Sequence, residues 1–254
     1  MNKKSGKIIT AGKLLFMLSM AAGLMMFAGC DHASLSDPYS DAKAVWHMDE
    51  RDGDLIRDVK GLYNATAYHT KIVANHPPGY ARYLNGLNAY IQTPLKLSKD
   101  MTVSLWVKPE RDLWESAALT KKRSGHAIML DNGHTERTNF VLQSSDLEYT
   151  KFVWHTADTD VFFELPWNEW SHLVVVANSQ DSTLQVFLNG ELLGENRTKG
   201  EIVIDDTPLT IGKWAVKDKR FFRGMIDEVV IWDRALTKSE IKKVFEVFIT
   251  SAKN

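Results

Sequence analysis

The feature that most constrains the fold is the spacing of turn signals. Short apolar or alternating segments are separated by Gly, Asn, Asp or Pro at intervals of roughly ten residues. Residues 102–107 alternate with period two and are closed by Pro109, which is typical of a strand. Residues 173–177 are continuously apolar with three consecutive Val, as in a strand buried between two layers. Many short strands without alternating helices predict an all-β protein, an antiparallel β-sandwich, and exclude a parallel α/β sheet.

Two of the three Asn-Gly dipeptides predict turns between strands. Asn-Gly readily takes the positive φ angles of a type I′ turn, so Asn189-Gly190 predicts a hairpin. Asn132-Gly133 lies between two segments of the same kind. Strands are predicted beside these turns and elsewhere, at residues 80–83, 89–93, 127–130, 138–143, 151–156, 184–188, 191–194, 209–211 and 225–232.

One segment has the period of a helix. Thr237 followed by Glu240 forms a capping box, in which each side chain bonds the backbone of the other residue. Apolar residues then recur at helical spacing, at Ile241, Val244, Phe245 and Phe248. We therefore predict one short C-terminal helix that packs against the sandwich.

The first thirty residues have the composition of an export signal. Four Lys precede an apolar or small-residue stretch at residues 14–28, which is shorter than the roughly 20 residues of a membrane-spanning helix. The stretch ends in F-A-G-C, which resembles the lipobox of bacterial lipoproteins, with Phe27 where Leu is usual. The resemblance implies a signal peptide at residues 1–30 and a lipid on Cys30. A plain secretory signal or an uncleaved anchor is the alternative.

Charge and cysteine content limit the partners and the covalent links that this chain can have. The chain has 31 basic and 32 acidic residues, and residues 1–30 carry four Lys and no acid, so residues 31–254 have a net charge of -5. Because this charge gives no basic field to attract phosphates, we predict no nucleic-acid partner. Cys30 is the only Cys, so the chain forms no internal disulfide. Residues 31–43, rich in Ser, Asp and Ala, predict a flexible tether to a domain at residues 44–254.

Six motifs follow one another along this domain. They are A-V-W-H-M at 44–48, Y-L-N-G with A-Y-I at 83–91, V-S-L-W-V-K-P at 103–109, W-S-H-L-V at 170–174, V-F-L-N-G at 186–190, and F-R-G-M-I-D-E-V with W-D-R-A-L-T at 222–237. The ordered set resembles the laminin G-like branch of the concanavalin A-like lectin/glucanase superfamily. The resemblance implies a jelly roll of two antiparallel sheets. It implies no particular ligand, because this fold hosts many functions.

Asp227 is the candidate metal ligand. On a regular strand it shares a face with Met225, Val229 and Ile231, so its carboxylate needs hydrogen bonds or a cation. The family resemblance implies a structural Ca²⁺ near the ends of the first and last strands, with Asp227 as ligand, and Asp49 is a second candidate. Ca²⁺ takes six to eight oxygens, so carbonyls and waters would complete the set. The alternative is that Asp227 only bonds a neighbouring turn.

The acidic residues do not form a catalytic pattern. A glycosidase needs two carboxylates roughly 5 to 9.5 Å apart. The resembling glucanases carry them as E-x-D-x-x-E, whereas residues 225–230 begin with Met and place adjacent acids on opposite faces. Asp158 and Asp160 fall in a polar, turn-like segment, and His172 is interpreted as structural. With no G-x-S-x-G or H-E-x-x-H, the sequence predicts a protein that is not an enzyme.

Aromatic residues near loops and strand ends are the candidate ligand contacts. Trp154 and Trp214 are predicted to stack on a sugar ring, although Trp residues in a sandwich mostly fill its core. The other aromatic candidates are Trp114, Trp167, Phe221 and Phe222. The basic residues near Trp214 suit an acidic glycan or form a solvated loop, namely Lys213, Lys217, Lys219, Arg220 and Arg223.

These patterns together predict a non-catalytic, lipid-anchored binding module of the bacterial cell envelope. Carbohydrate is the predicted ligand. A protein-interaction or adhesion module, or an enzyme related to glycoside hydrolases, is the alternative. The predicted partners are therefore a glycan or an envelope or extracellular protein, with the membrane reached through the lipid.

Overall fold

In the computed structural model, the described part of the chain consists of strands arranged in two layers and one α-helix. The structure describes residues 37–74, 79–110, 127–132, 140–144, 150–154, 157–204, 206–218 and 220–251. The strands in this part of the chain are Ala44–Trp46 (β1), Leu55–Ile56 (β2), Ala65–Tyr68 (β3), Lys71–Ala74 (β4), Tyr80–Asn85 (β5), Tyr90–Lys96 (β6), Met101–Pro109 (β7), Ala127–Asn132 (β8), Phe140–Ser144 (β9), Thr150–Trp154 (β10), Thr159–Phe163 (β11), Ser171–Asn178 (β12), Thr183–Leu188 (β13), Glu191–Arg197 (β14), Pro208–Ile211 (β15) and Arg223–Trp232 (β16). The helix is Lys238–Ser251 (α1).

The strands form two antiparallel sheets. Sheet A has the order β14-β13-β12-β7-β16-β5-β4, and β1 also pairs with β16. Sheet B has the order β11-β10-β9-β8-β15-β6-β3-β2. This arrangement confirms the predicted all-β sandwich with one short C-terminal helix.

The main core lies between the two sheets. In sheet B, the register aligns one row of fully buried side chains across five strands, namely Ile91, Ile211, Leu130, Leu142 and Phe152. Sheet A contributes Val103, Leu105, Leu173, Val175 and Ile231 to the same cluster. Because side chains alternate along a strand, the neighbours of these residues point away from the core.

A second apolar layer lies between sheet A and α1. It includes Val174, Val176, Phe187, Val230 and Trp232 from the sheet with Ile241 and Val244 from the helix. The helix begins as predicted: the backbone N–H of Thr237 donates to Glu240 Oε2 at 2.7 Å, and the N–H of Glu240 donates to Thr237 Oγ1 at 3.3 Å. This layer explains why many outward positions of sheet A are apolar too.

The segment before β1 packs on the domain. Tyr39 lies 6.4 Å from the ring of Trp232, and Arg234 pairs with Asp41 at 2.7 Å. Residues 37–43 are therefore part of the packed structure, which corrects their assignment to the flexible tether. Cys30 and the rest of residues 1–36 lie outside the described residues. In the described ranges, α1 is the only α-helix, and no helix has the length and apolarity needed to cross a bilayer.

The Asn189-Gly190 hairpin is confirmed. Leu188 pairs with Glu191, and both turn residues have positive φ, 51° at Asn189 and 83° at Gly190. The predicted turn at Asn132-Gly133 continues into residues 133–139, outside the described residues, although β8 and β9 pair as expected. The sequence patterns missed four short strands, which are β2, β3, β4 and β11.

Candidate functional site

The outward face of sheet B carries a lateral row of mostly polar side chains. Strand register places eight residues side by side in this row, which are Leu55, Thr66, Gln92, Thr210, Asp131, Val141, Val153 and Asp160. Sheet A has an apolar outward face under α1, whereas this row contains amides, hydroxyls and carboxylates. The outward face of sheet B is therefore the face of the sandwich whose side chains best suit a polar ligand.

The loop after β15 covers the middle of this face. Trp214 is only 5% exposed and packs on Val141 and Val153. Asp131 Oδ2 accepts a 2.7 Å hydrogen bond from the N–H of Ala215, which ties the loop to β8. The covering loop leaves the end of the face formed by β3 and β6 accessible.

Two stacked tyrosines occupy that accessible end. Tyr68 on β3 is directly opposite Tyr90 on β6, and their ring centroids are 4.7 Å apart with planes 13° from parallel. The ammonium of Lys213 lies 4.2 Å from the Tyr90 centroid and also pairs with Asp218 Oδ1 at 2.5 Å. Tyr90 is thus held between Tyr68 and Lys213, while Tyr68 remains 41% exposed. A planar ligand on this face would meet Tyr68 first.

The two tryptophans predicted to bind ligand are not part of this platform. Trp154 is 0% exposed, lies in the main core and donates from its indole N–H to the carbonyl oxygen of Val203 at 3.1 Å. Trp214 is covered by Lys217 and Arg220, whose charged groups lie 5.3 and 4.5 Å from its ring. Neither ring presents a free face to solvent, because both fill apolar space within the fold. Trp114 lies outside the described residues.

The gap that holds Asp227 lies between the end of β1 and the start of β5. Asp227 is opposite Trp106, and the register of β16 against β7 shifts between Asp227 and Val230 at a β-bulge. Glu228 within the bulge has φ of 48°. The extra residue places Asp227 on the face of Trp106, opposite to Val229, which corrects the predicted face.

Asp227 is a buried carboxyl group with a second carboxylate nearby. It is 4% exposed, and burial raises its pKa to about 9, with the charges of Glu228 and Asp49 adding to the rise. Its Oδ1 accepts a 2.9 Å hydrogen bond from the N–H of Glu228. Asp49 Oδ1 accepts one from the N–H of Tyr80 at 2.8 Å, so both predicted ligands lie at the same gap. A cation here would favour the ionised form of Asp227.

The groups around this gap are mostly oxygen donors. His47 Nδ1 lies 2.7 Å from Glu228 Oε2, and this hydrogen bond raises the pKa of His47. Glu50 Oε2 is buried without a hydrogen-bond partner, and it lies 3.7 Å from Arg82 Nη2. Carboxylates and carbonyls suit a hard cation such as Ca²⁺. However, no three His, Cys, Asp or Glu side chains of the described residues are grouped to hold a metal, so backbone carbonyls and water would supply most ligands.

One pair of side chains resembles a nucleophile with its base. Ser104 Oγ lies 2.7 Å from His172 Nε2, but the two residues are 2% and 1% exposed. Trp106 and Phe245 pack beside the imidazole, at 5.4 and 5.7 Å between centroids, and burial lowers the pKa of His172 to about 3. The imidazole is therefore buried and held neutral beneath α1, and its structural role stays a prediction of the sequence.

Sequence reasoning missed the tyrosine platform. Tyr68 belongs to the undetected strand β3, whose residues 65–68 read A-T-A-Y with alternating burial. This alternation was the available signal, but the segment has few of the bulky apolar residues that mark a strand. Tyr68 and Tyr90 are more than twenty residues apart in the sequence, so only the pairing of β3 with β6 brings the two rings together.

Comparison with known proteins gives a family and a fold. Residues 85–242 match the family model described as concanavalin A-like lectin/glucanases superfamily. No curated protein sequence matches the chain. Domain 4 of AbnA, a GH43 extracellular arabinanase from Geobacillus stearothermophilus, was solved with arabinotriose and is similar in structure. Its TM-score is 0.60 at 19% identity, and the match covers 80% of this chain and 98% of that one.

Two further solved structures match only in part of their length. The botulinum neurotoxin serotype D binding domain has a TM-score of 0.62 at 15% identity, covering 82% of this chain and 52% of that one. Trypanosoma rangeli sialidase with the inhibitor DANA has a TM-score of 0.58 at 15% identity, covering 80% of this chain and 32% of that one. At these identities the similarity is one of fold.

Proposed function

The chain belongs to the laminin G-like family of the concanavalin A-like lectin/glucanases superfamily, and on that premise we propose that it is a non-catalytic carbohydrate-binding module. The observation that carries the proposal is the Tyr68–Tyr90 pair on the outward face of sheet B. The exposed ring of Tyr68 is supported by Tyr90, which Lys213 contacts in turn, and it can stack on the apolar face of a sugar. Thr66 and Gln92 lie beside it and can bond hydroxyl groups.

The comparison with the arabinanase domain supports the same ligand class. That domain has nearly the same extent as this fold and was solved with a bound trisaccharide. The toxin match is also named as a binding domain. The toxin match names no ligand, so the arabinanase domain alone supports carbohydrate here, and at 19% identity it supports the class and not a particular sugar.

The placement of the acidic residues supports a binding role over bond cleavage. On the outward face of sheet B, Asp131 is fully buried and bonded to the covering loop, while Asp160 lies at the far edge, 3.9 Å from Lys151. Asp227 is buried on the other sheet. Within the described residues, Asp131, Asp160 and Asp227 therefore lie apart from one another, whereas a glycosidase needs two carboxylates that flank the scissile bond, and we assign the remaining pair, Asp49 and Asp227, to a cation.

We further propose that Asp49 and Asp227 hold a structural Ca²⁺. The ion would supply positive charge to two carboxylates in a gap where burial otherwise disfavours ionisation. Asp49 would link the ion to β5 through Tyr80, and Asp227 would link it to the bulge of β16. Binding at this gap would fasten the chain after β1 to the strands on either side.

The proposal for the N-terminal segment is lipid anchoring through Cys30. Its support is the sequence alone: a cationic start, an apolar stretch and a lipobox-like F-A-G-C. Acyl chains on Cys30 would hold the module at a bacterial envelope membrane. Replacing Cys30 by Ser should abolish incorporation of labelled palmitate in the expressed protein, and undiminished labelling would contradict this assignment.

A glycan array tests the binding function. The wild type should bind a defined set of glycans, and Tyr68→Ala should lose at least about tenfold in affinity because stacking is removed. Leu62→Ala, which truncates a side chain that is 74% exposed outside the platform, should bind as the wild type does. Absence of any glycan binding, or equal binding by Tyr68→Ala, contradicts the proposal. Repeating the array with EDTA separates a Ca²⁺-dependent site from an independent one.

A protein-interaction module is the second candidate. Large apolar side chains are exposed near the paired edges of the sheets, with Phe162 52%, Leu193 45% and Leu192 37% exposed. Such side chains favour contact with another protein when they form a patch. If this candidate is correct, no glycan on the array should bind, and Phe162→Glu should abolish binding to a purified envelope protein.

A further inference from the structure

A cavity lies where the two sheets meet at one side of the sandwich. Its volume is about 450 Å³, within the roughly 300–1,000 Å³ of small-molecule sites. The edge strands β11 and β14 approach each other here, and Asn196 Nδ2 donates to the carbonyl oxygen of Asp160 at 2.6 Å. The cavity is lined by Thr150, Glu164, Pro166, Trp167, Leu188 and Leu193. It lies at the opposite end of sheet B from the Tyr68 platform.

The walls of this cavity are largely apolar. Trp167 is partly buried, and Leu193 is 45% exposed although it lines the cavity. Leu165, Pro166 and Leu188 add to the apolar lining. A ligand that covers these side chains removes apolar surface from water, which is favourable by roughly 25 cal/mol per Å².

Three of the residues that line the cavity carry polar groups, namely Thr150, Glu164 and Trp167. The Glu164 carboxylate accepts only, the Trp167 indole N–H donates only, and the Thr150 hydroxyl does both. Within the described part of the chain, none of these three groups has a hydrogen-bond or ion-pair partner. The cavity thus combines an aromatic wall with a donor and acceptors that are available to a ligand.

We propose that this cavity binds one pyranose unit of a glycan, as a second site separate from the Tyr68 platform. A pyranose has an apolar C–H face for Trp167 and hydroxyl groups that both donate to Glu164 and accept from an N–H. A lysine side chain from a peptide would pair with Glu164, but it has no acceptor for the indole N–H. The inference shares only its ligand class with the proposed function, because it uses no residue of the platform.

Indole N–H resonances test this site directly. In the full chain with ¹⁵N-labelled Trp, the Trp167 signal is the one lost in Trp167→Phe. The probes are methyl β-D-glucopyranoside, methyl β-D-galactopyranoside, methyl α-D-mannopyranoside and, for the peptide alternative, Nα-acetyl-lysine methylamide. A saturable shift of the Trp167 signal by at least one glycoside supports the site. A shift by the lysine probe alone, or by no probe, overturns it.

Two glutamates on the same segment provide a matched pair of variants. Glu164→Ala should weaken glycoside binding about tenfold, since it removes hydrogen bonds to a charged acceptor. Glu169→Ala changes an exposed Glu that does not line the cavity and should leave the affinity unchanged. Equal affinity of Glu164→Ala and wild type overturns the assignment. Tyr68→Ala should leave the Trp167 shift intact, so failure of the platform and failure of this site are distinguishable.

Discussion

Replacing Asp227 by Asn gives the sharpest test of the gap between β1 and β5. The folded pKa of Asp227 is about 9, above the ordinary 3.8, because burial disfavours its ionised form. A raised carboxyl pKa contributes stability that is fully present below 3.8 and is lost as the pH rises through 9. In the chelated wild type, the free energy of unfolding should therefore fall with increasing pH across this window.

The size of the effect follows from linkage. Each pH unit between the two pKa values costs about 1.4 kcal/mol, so the loss from pH 5 to pH 8 is on the order of 4 kcal/mol. Asp227→Asn cannot ionise, and it should lack this component. Adding Ca²⁺ should restore stability to the wild type at pH 8 and leave the Asn variant unchanged, because a ligand that binds the native state stabilises it.

Urea unfolding followed by Trp fluorescence, in EDTA and in Ca²⁺, measures both effects. Subtracting the free energy of unfolding of Asp227→Asn from that of the wild type at each pH removes the contribution of the other titrating groups, because both proteins share them. The same pH dependence for both proteins in EDTA would refute the buried protonated carboxyl. An equal response to Ca²⁺ would refute Asp227 as a ligand, while leaving its burial intact.

Three further predictions concern the sheet and its helix. Burial lowers the pKa of His172 from its ordinary 6.5 to about 3 in the folded protein. Its contribution to the free energy of unfolding is therefore present above pH 6.5 and is lost as the pH falls toward 3. We expect His172→Gln to lack this acid-dependent loss, which is on the order of 4 kcal/mol and can be measured by urea unfolding. Gly190→Ala should destabilise by roughly 1–2 kcal/mol or more, since Gly190 has φ of 83° and a Cβ would lie 3.0 Å from Phe245; a thermal scan beside Gly53→Ala, which has φ of 75° and open space, isolates the contact. Thr237→Ala should lower stability by about 1 kcal/mol through loss of the capping box, measurable in the same scan.

Each of these three predictions has a contrary result. An unchanged acid limb in His172→Gln would mean that the imidazole is not held neutral by burial. Equal melting temperatures of Gly190→Ala and Gly53→Ala would mean that Phe245 adjusts without cost. A Thr237→Ala protein as stable as the wild type would show that the helix start is held by packing alone.

The elements that could be predicted are those that depend on residues close together in the sequence. Alternation over residues 102–107, the Asn189-Gly190 turn and the Thr237–Glu240 capping box each depend on neighbours in sequence. Steric and hydrogen-bond preferences of a few residues decide such features, so the structure reproduces them. The strands that were missed, such as β3 and β11, are short and owe their conformation to pairing with distant strands.

The candidate site was less predictable because it depends on faces and neighbours. Regular alternation along β16 predicted that Asp227 and Val229 share a face of the sheet. One extra residue in the β-bulge places Asp227 on the opposite face from Val229. Composition marked Trp154 and Trp214 as available aromatics, whereas packing buries both. Tyr68 and Tyr90 became a platform only because β3 pairs with β6.

By itself, the sequence determined the class of fold, the turn at Asn189-Gly190 and the start of the C-terminal helix, whereas export of the N-terminal segment stays a prediction. Those properties follow from periodicity, turn chemistry and composition, which act within a few residues of chain. The tertiary structure alone decided which aromatic rings reach solvent, which carboxylates share a gap and where the two edges enclose a cavity. Those properties depend on contacts between residues far apart in the chain, and one shift of register in β16 is enough to change the face on which Asp227 lies.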